Sequence, residues 1–348
     1  MTPTSPRTGD APRRRLARVL VSPERVVRTI VGLRPFRPSG FRVEAEPLGD
    51  KLLVHNYGHG GCGVTLSWGT ASLAIDRIVE SGRSGPVAVI GCGAVGLATA
   101  RLLQTRGSEA TIYARALPPD TTSNVAGALW YPHLVADEAR RPVAFDAQFE
   151  SAARFSHRCF QDLAGDDYGV CWRQQYFLSR TPAQDSWDTV MLRDLFHESR
   201  SLRSGEHPFG VPHVVVDRMM FIEPAVYLES LLRDFQRAGG RVRIQSFASP
   251  ADVAALPERI VVNCTGLGSR DLFDDRELTP VKGQLTVLLP QPEIDYAWIN
   301  DEDLYMFPRR DGILLGGTHE PGVESLEPNP VAERHVLEGH RAVVETME

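Results

Sequence analysis

The sequence predicts an α/β protein: a Rossmann-like dinucleotide-binding domain joined to a mixed-sheet, α+β lobe for substrate. Three observations predict it. Residues 86–115, "PVAVIGCGAVGLATARLLQTRGSEATIYAR", read as buried strand, glycine turn, helix and second strand. Helical spacing of apolar residues at 64–80, 223–238 and 329–347 alternates with short apolar strand-like runs. The stretch "HNYGHGGCGVTLSWG" (55–69) places four glycines within residues 58–63, directly ahead of a helical pattern. That is the composition of a backbone cradle for a ligand.

Bulk properties narrow the class. At 348 residues the chain has room for two domains. A net charge of −6 argues against nucleic acid or an anionic membrane as partner, because both are bound through basic patches. The five cysteines have no CxxC spacing and the ten histidines no HExxH pattern. Free thiols in a cytoplasmic protein and no metal are therefore expected. No run approaches the roughly 20 apolar residues of a membrane span.

Taken in order, residues 1–21 read as a mobile tail and 28–46 as a loop with two X-Pro restraints leading into a strand. Residues 51–58 form a strand running into the glycine stretch, and 64–80 a helix. "SGRSG" (81–85) is a flexible linker. The 86–115 unit carries Gly91-x-Gly93-x-x-Gly96 between strand and helix. In that context the pattern is a strong dinucleotide signal: glycines admit the tight turn and close approach of a pyrophosphate, and the helix N-terminus supplies amide donors. Residues 223–247 read as helix, glycine stop and strand, and 259–270 as a buried strand ending in a small-residue turn. "KGQLTVLL" and "DLYMFPRRDGILLGGTHE" supply further strands, and 329–347 a final helix.

Six of these pieces resemble the D-amino acid oxidase family of flavoproteins. They are "VIGCGAVGLATARLL", "TTSNVAGALWYP" (121–132), "VVNCTG" (261–266), "LYMFPRRDGILLGG" (304–317), "GLRPFRP" (32–38) and the glycine stretch. Their order departs from the family's, in which the last two come at the C-terminal end. The resemblance therefore implies a circularly permuted chain, with 81–85 joining the family's old ends. It divides the chain into a cofactor domain at 22–135 (22–80, the linker, and 86–135) and 223–275. Residues 136–222 and 276–348 would form the substrate domain.

The resemblance implies FAD as cofactor, an amino acid substrate and molecular oxygen as the terminal acceptor, with no nucleic acid or membrane partner; a homodimer stays open. Gly91, Gly93, Ala94, Val95 and Gly96 would take the pyrophosphate. Thr121, Thr122 and Ser123 would add hydroxyl contacts, with Gly127, Ala128 and Leu129 beside the ring. Asn263, Cys264, Thr265 and Gly266 would close the far side. Gly60, Gly61, Gly63, Val64 and Thr65 would line the flavin, and the Gly61 carbonyl would receive the substrate amine. Arg34 would pair with the substrate carboxylate, as a planar charged fork does well, helped by the Tyr305 hydroxyl. Arg37, His55 and His59 read as structural, and Cys62 as an inert thiol.

Two positions depart from the family. Arg115 stands where an acidic residue would bind the adenosine ribose, which raises NADP as an alternative. Asp301 replaces a second active-site tyrosine, and "NDEDLY" reads either as an acidic lid selecting basic substrates or as a solvated loop; His319 is also placed near the pocket. The expected activity is oxidation of a D-amino acid to 2-oxo acid, ammonia and hydrogen peroxide. The alternatives are oxidation of another amine-bearing carboxylate, an NADP-dependent dehydrogenase, and a noncatalytic flavin-binding protein.

Overall fold

Two sheets carry the chain, and each draws strands from distant parts of the sequence. The computed structural model describes residues 16–127, 129–182, 185–196 and 199–348. Strand β1 (Val26–Phe36) precedes the hairpin of β2 (Arg42–Leu48) and β3 (Lys51–Tyr57), and then comes helix α1 (Ser67–Glu80). The unit β4 (Val87–Ile90), α2 (Ala94–Thr105), β5 (Ala110–Ala114) follows, then α3 (Val143–Asp162) and β6 (Val170–Ser179). Short α4 (Trp187–Met191) and β7 (Arg200–Leu202) lead to β8 (His213–Ile222), α5 (Pro224–Arg237) and β9 (Arg241–Ile244). Next come α6 (Pro250–Ala254), β10 (Ile260–Asn263) and α7 (Ser269–Leu272). Last are β11 (Thr279–Leu288), β12 (Tyr296–Asn300), β13 (Tyr305–Arg309), β14 (Gly312–Gly316), β15 (Glu320–Pro321) and α8 (Pro330–Glu345).

The expected α/β class, with two mixed sheets, is what these elements build. The smaller sheet has the order β2-β3-β10-β4-β5-β9, parallel throughout except for β2. Its inner strands are apolar on both faces, as strands covered on both sides must be. Helices α1, α2, α3 and α5 pack around one core with Val54, Val89, Leu97, Phe149 and Leu231. The larger sheet runs β1-β11-β14-β13-β12-β6-β8-β7, with β15 added beside β11. Helix α8 covers one of its faces through Val336, Leu337 and Val344. Asn329 starts that helix by accepting from the amides of Val331 (3.0 Å) and Ala332 (3.4 Å).

Three expectations are corrected. Residues 16–21 are not a tail: Leu16 and Val19 are buried in the core under α8, and the Leu20 amide donates to Gln291 Oε1 at 2.7 Å. Residues 28–36 are not a loop but most of β1. An edge strand tolerates proline, and Pro35 faces Pro280 across the ladder. The domain boundaries shift accordingly. β1 belongs to the larger sheet although the rest of 22–80 joins the smaller one. Helix α3, expected in the substrate domain, packs on α1 because its buried face (Phe149, Ala152, Ala153) meets Gly69, where any Cβ would strike Ala152 backbone.

Residues 17–18 and Met347, near the two ends of the described chain, lie together. The Tyr296 hydroxyl donates to the Ala17 carbonyl at 2.7 Å and lies 3.9 Å from Met347 Sδ, while Arg18 donates to the Met347 carbonyl. Residues 81–85 form an exposed turn between α1 and β4. A chain opened within 81–85 and joined from Glu348 to Leu16 by a short flexible linker should therefore fold to the same sheets. Circular dichroism and the unfolding midpoint of that rearranged chain check this.

The glycine stretch is anchored on α1 through His59. Its ring stacks on Phe41 at 5.4 Å, and Nε2 lies 3.0 Å from Thr70 Oγ1. The Thr70 hydroxyl donates to Leu66 O, so His59 is the donor to Thr70. Burial pushes the His59 pKa down to about 3 from 6.5. The unfolded chain thus binds one more proton than the folded one between those values. The stability this neutral ring contributes is present above pH 6.5 and is lost as pH falls toward 3. Replacing His59 with Gln, which keeps a donor, should flatten the pH dependence of the denaturation midpoint in that window.

Candidate active site

The parallel pairing of the smaller sheet brings three turns to one edge. Asn263 at the end of β10 lies between His55 of β3 and Ile90 of β4. The chain leaves these strands at the carboxyl end into the glycine stretch, the Gly91–Gly93 turn and the Cys264–Gly268 turn. That edge is where open α/β sheets hold ligands. Here it faces the β1–β11–β13 part of the larger sheet, and a cavity of ≈ 540 Å³ lies between them.

Local chemistry shapes each turn. Gly91 has φ +113°, and a Cβ there would stand 2.4 Å from Cys264 O. On Gly96 a Cβ would stand 2.1 Å from Gly91 O. Gly96 therefore lets α2 seat against the turn and does not itself line the cavity. The Ser123 hydroxyl accepts from the Ala94 amide at 3.0 Å, at the N-terminus of α2, where the helix dipole favours negative charge. Asn263 holds the β10 turn from below: its Oδ1 accepts from Thr265 N and Oγ1, and its Nδ2 donates to Ser269 Oγ and His55 Nδ1. The other His55 nitrogen donates to Glu46 Oε1 at 3.0 Å. Burial, above all, lowers the His55 pKa.

The segment after Gly127 clamps the glycine stretch. Trp130 Nε1 donates to Thr65 O at 3.2 Å, and Cys62 Sγ donates to His133 O at 3.0 Å. Burial pushes that thiol up to about 12, and Cys62 is absent from the cavity wall.

Most of the expected site residues meet around this one cavity. Gly91, Gly93, Ala94, Val95, Arg115, Thr121, Thr122 and Ser123 line it on the α2 side. Gly60, Gly61, Gly63, Val64, Thr65, Cys264, Thr265 and Gly266 line it along the strand ends. Arg34, Gly127, Leu129 and Tyr305 line it by the larger sheet. Gly96 and Asn263 stand behind the wall, and Ala128 lies outside the described residues. Asp301 is exposed and accepts from the Arg180 amide at 2.8 Å, and no residue from 300 to 304 lines the cavity. The acidic-lid reading therefore fails: this loop is a solvated turn. His319 is also exposed and off the wall; burial and the nearby Arg34 charge lower its pKa.

Sequence reasoning missed Gln245, Ser246 and Phe247 at the end of β9, and Tyr131, Leu285, Ile299 and Phe307 on the other side. The β9 group had a usable signal. A strand predicted to pair beside β5 must also end at the ligand-binding edge. Leu285 and Phe307 read as core in a strand, and Tyr131 and Ile299 carry no signal of their own.

The Arg34 end is electrostatically open. Among the described residues no carboxylate pairs with Arg34; its Nη1 donates to the Thr318 carbonyl at 3.3 Å. Its neighbour Arg37 is instead held by Asp275 and Glu277 (3.1 and 2.9 Å), which makes Arg37 structural. A half-buried guanidinium that faces a cavity and has no carboxylate beside it is a ready site for a ligand carboxylate. Arg115 is likewise without a carboxylate partner among the described residues, but it is exposed.

Among the described residues no group of three or more His, Cys, Asp or Glu could hold a metal ion, and no helix is long and apolar enough to cross a membrane. The chain is similar to known proteins. A D-amino-acid oxidase from Streptomyces coelicolor is 31% identical over 264 residues, covering 72% of this chain and 75% of its own. One from Dictyostelium discoideum is 29% identical over 256 residues, 72% of this chain and 70% of its own. A solved glycine oxidase from Geobacillus kaustophilus matches the fold with TM-score 0.56 and 17% identity, over 76% of this chain and 80% of that one. Residues 2–77 and 86–347 match the family described as DAO, FAD dependent oxidoreductase. The chain belongs to this family and is an FAD-dependent oxidoreductase.

Proposed function

We propose that the enzyme oxidises D-amino acids with uncharged side chains to 2-oxo acids, with ammonia and hydrogen peroxide as the other products. The observation that carries this reading is Arg34, without a carboxylate partner among the described residues, facing the same cavity as Tyr305 and the glycine stretch. The residues fit FAD. Gly91 and Gly93 present bare backbone at a helix N-terminus. The strand-end turns line a single cavity continuous from Phe247 and Arg115 to Arg34.

When bound, FAD is the two-electron acceptor for oxidation at the substrate Cα, and molecular oxygen takes the electrons onward. The chain itself binds and orients. Arg34 pairs with the α-carboxylate, and the Tyr305 hydroxyl donates to it. The Gly61 carbonyl accepts from the amine. Those contacts fix two substituents of Cα, the carboxylate and the amine, and the apolar wall of Tyr131, Leu285, Ile299 and Phe307 would take the third, the side chain. With all three placed, the Cα–H of only one enantiomer would point to the cofactor side. The relatives named as D-amino-acid oxidases support the D-isomer. Burial keeps His59 neutral, and no other histidine and no lysine lines the wall; in this reading the amine enters already deprotonated.

The space left for the side chain is bordered by Tyr131, Leu285, Ile299 and Phe307. Among the described residues Arg34 is the one cation lining this end; Arg309, 5% exposed, is held by Asp311 at 2.7 Å. An acidic side chain would be desolvated there without a counter-charge. That favours neutral substrates, in contrast to the relative named as a human D-aspartate oxidase, 28% identical over 262 residues.

The family match falls into two stretches separated at 78–85, and Arg18 donates to the Met347 carbonyl, so residues near the two ends of the described chain lie together. Both support a permuted chain order relative to the family.

Arg34→Leu should keep FAD bound and raise KM for D-amino acids about 10- to 100-fold, the cost of one charge-assisted pair. Tyr305→Phe should raise it by less than tenfold, as loss of about one neutral hydrogen bond does. Steady-state kinetics on flavin-loaded protein decides both; unchanged saturation in Arg34→Leu would falsify the site assignment.

A further inference from the structure

The two side chains that clamp the carboxylate rest on two glycines of the larger sheet. Arg34 leaves β1 and crosses the neighbouring strand β11. A Cβ built on Gly283 of β11 would fall 2.5–2.6 Å from its Nη1, Cζ and Nη2 atoms. Tyr305 leaves β13 and lies over its directly paired partner on β14, Gly316. A Cβ on Gly316 would fall 2.0–2.4 Å from the ring and its hydroxyl. Strands β11 and β14 are themselves neighbours. Arg34 and Tyr305 therefore reach in from opposite sides and lie over adjacent strands.

Backbone conformation does not explain these glycines, because neither has a positive φ. Packing of secondary elements does not explain them either. At Gly69, Gly91, Gly96 and Gly312 the nearest obstacle is another backbone, so a side chain there would push elements apart. At Gly283 and Gly316 the nearest obstacles are the functional ends of Arg34 and Tyr305. A methyl at either position would lift those ends and leave the strands in place. The Tyr305 ring also stacks on Phe307, with centroids 4.9 Å apart, so lifting it costs that contact as well.

We propose that Gly283 and Gly316 are positioning residues: their missing Cβ atoms set the height at which the guanidinium and the phenol meet a carboxylate. The inference rests on reading Arg34 and Tyr305 as that clamp. It adds that the clamp's geometry is written in the strands beneath it.

The test uses FAD-loaded protein and benzoate, a carboxylate with no Cα–H to oxidise, titrated by the shift of the visible flavin band. Gly283→Ala and Gly316→Ala should each weaken benzoate by about tenfold or more while leaving FAD affinity within about twofold. A double-mutant cycle separates positioning from a merely structural role. Gly283→Ala should lower the thermal midpoint of the wild-type chain but not that of Arg34→Ala, in which the overlapping atoms are gone. Gly316→Ala should behave in the same way against Tyr305→Ala. This arm still decides the matter if a single variant folds poorly. Unchanged benzoate affinity in the alanine variants, or equal midpoint losses in both backgrounds, overturns the inference. A wild type that binds no benzoate overturns both the clamp reading and the inference. A wild type that binds benzoate with alanine-sensitive affinity, yet whose flavin no amino acid reduces, overturns the oxidase reading and upholds the inference.

Discussion

The parallel pairing of β3 with β10, and of β10 with β4, is the constraint on which the site depends. It aligns three carboxyl ends, and from each the chain leaves in a glycine-bearing turn. The pairing is held by burial on both faces: Leu53, Val54, Ala88, Val89, Val261 and Val262 have essentially no exposure. A one-residue slip would send each side chain to the opposite face and exchange the residues of the two cores, Val54, Val89 and Val262 for Leu53, Ala88 and Val261. The same contacts that stabilise the sheet therefore fix where the backbone amides of the cradle point. Chain order does not enter. β3 precedes β4 in sequence by a helix and an exposed turn, yet sits two strands away in a ladder that noncovalent contacts alone define.

The larger sheet supplies what the smaller one lacks. A cradle of glycines and a helix terminus can hold a phosphate-bearing cofactor, but its wall carries one cation, the exposed Arg115, and none beside Tyr305. β1 brings Arg34 and β13 brings Tyr305 to the facing wall, and the strands between them are recessed by glycine. The division of labour is physical. One wall is backbone dipole, and the other is a single charge with a hydroxyl beside it, bordered by apolar side chains.

Much of this was legible in the sequence because the residues concerned carry conformational or charge signatures. Gly91-x-Gly93-x-x-Gly96 between an apolar run and a helical period permits few readings, and the structure puts Gly91 and Gly93 on the cavity and Gly96 behind it. Arg34 beside a proline was legible as a site residue only through the resemblance, and its strand was not legible at all. Two prolines near an arginine read as a loop, whereas an edge strand accepts them. Leu16 and Val19 looked like tail because a packed extended segment leaves no periodic signal. The "NDEDLY" stretch misled in the other direction: its acidic residues look like a lid, yet Asp301 accepts a backbone amide in a solvated turn. Gly283 and Gly316 were invisible, since a glycine in a strand does not say what lies on top of it.

The central claim is that this cavity holds FAD and oxidises one enantiomer of a carboxylate-bearing amine. The most direct measurement is the visible spectrum of the purified, FAD-loaded protein, followed without oxygen as D- and L-amino acids are added in turn. The account predicts a flavin band that bleaches with neutral D-isomers and persists with L-isomers. A flavin band that no D-amino acid bleaches, or that L-isomers bleach equally well, would contradict it.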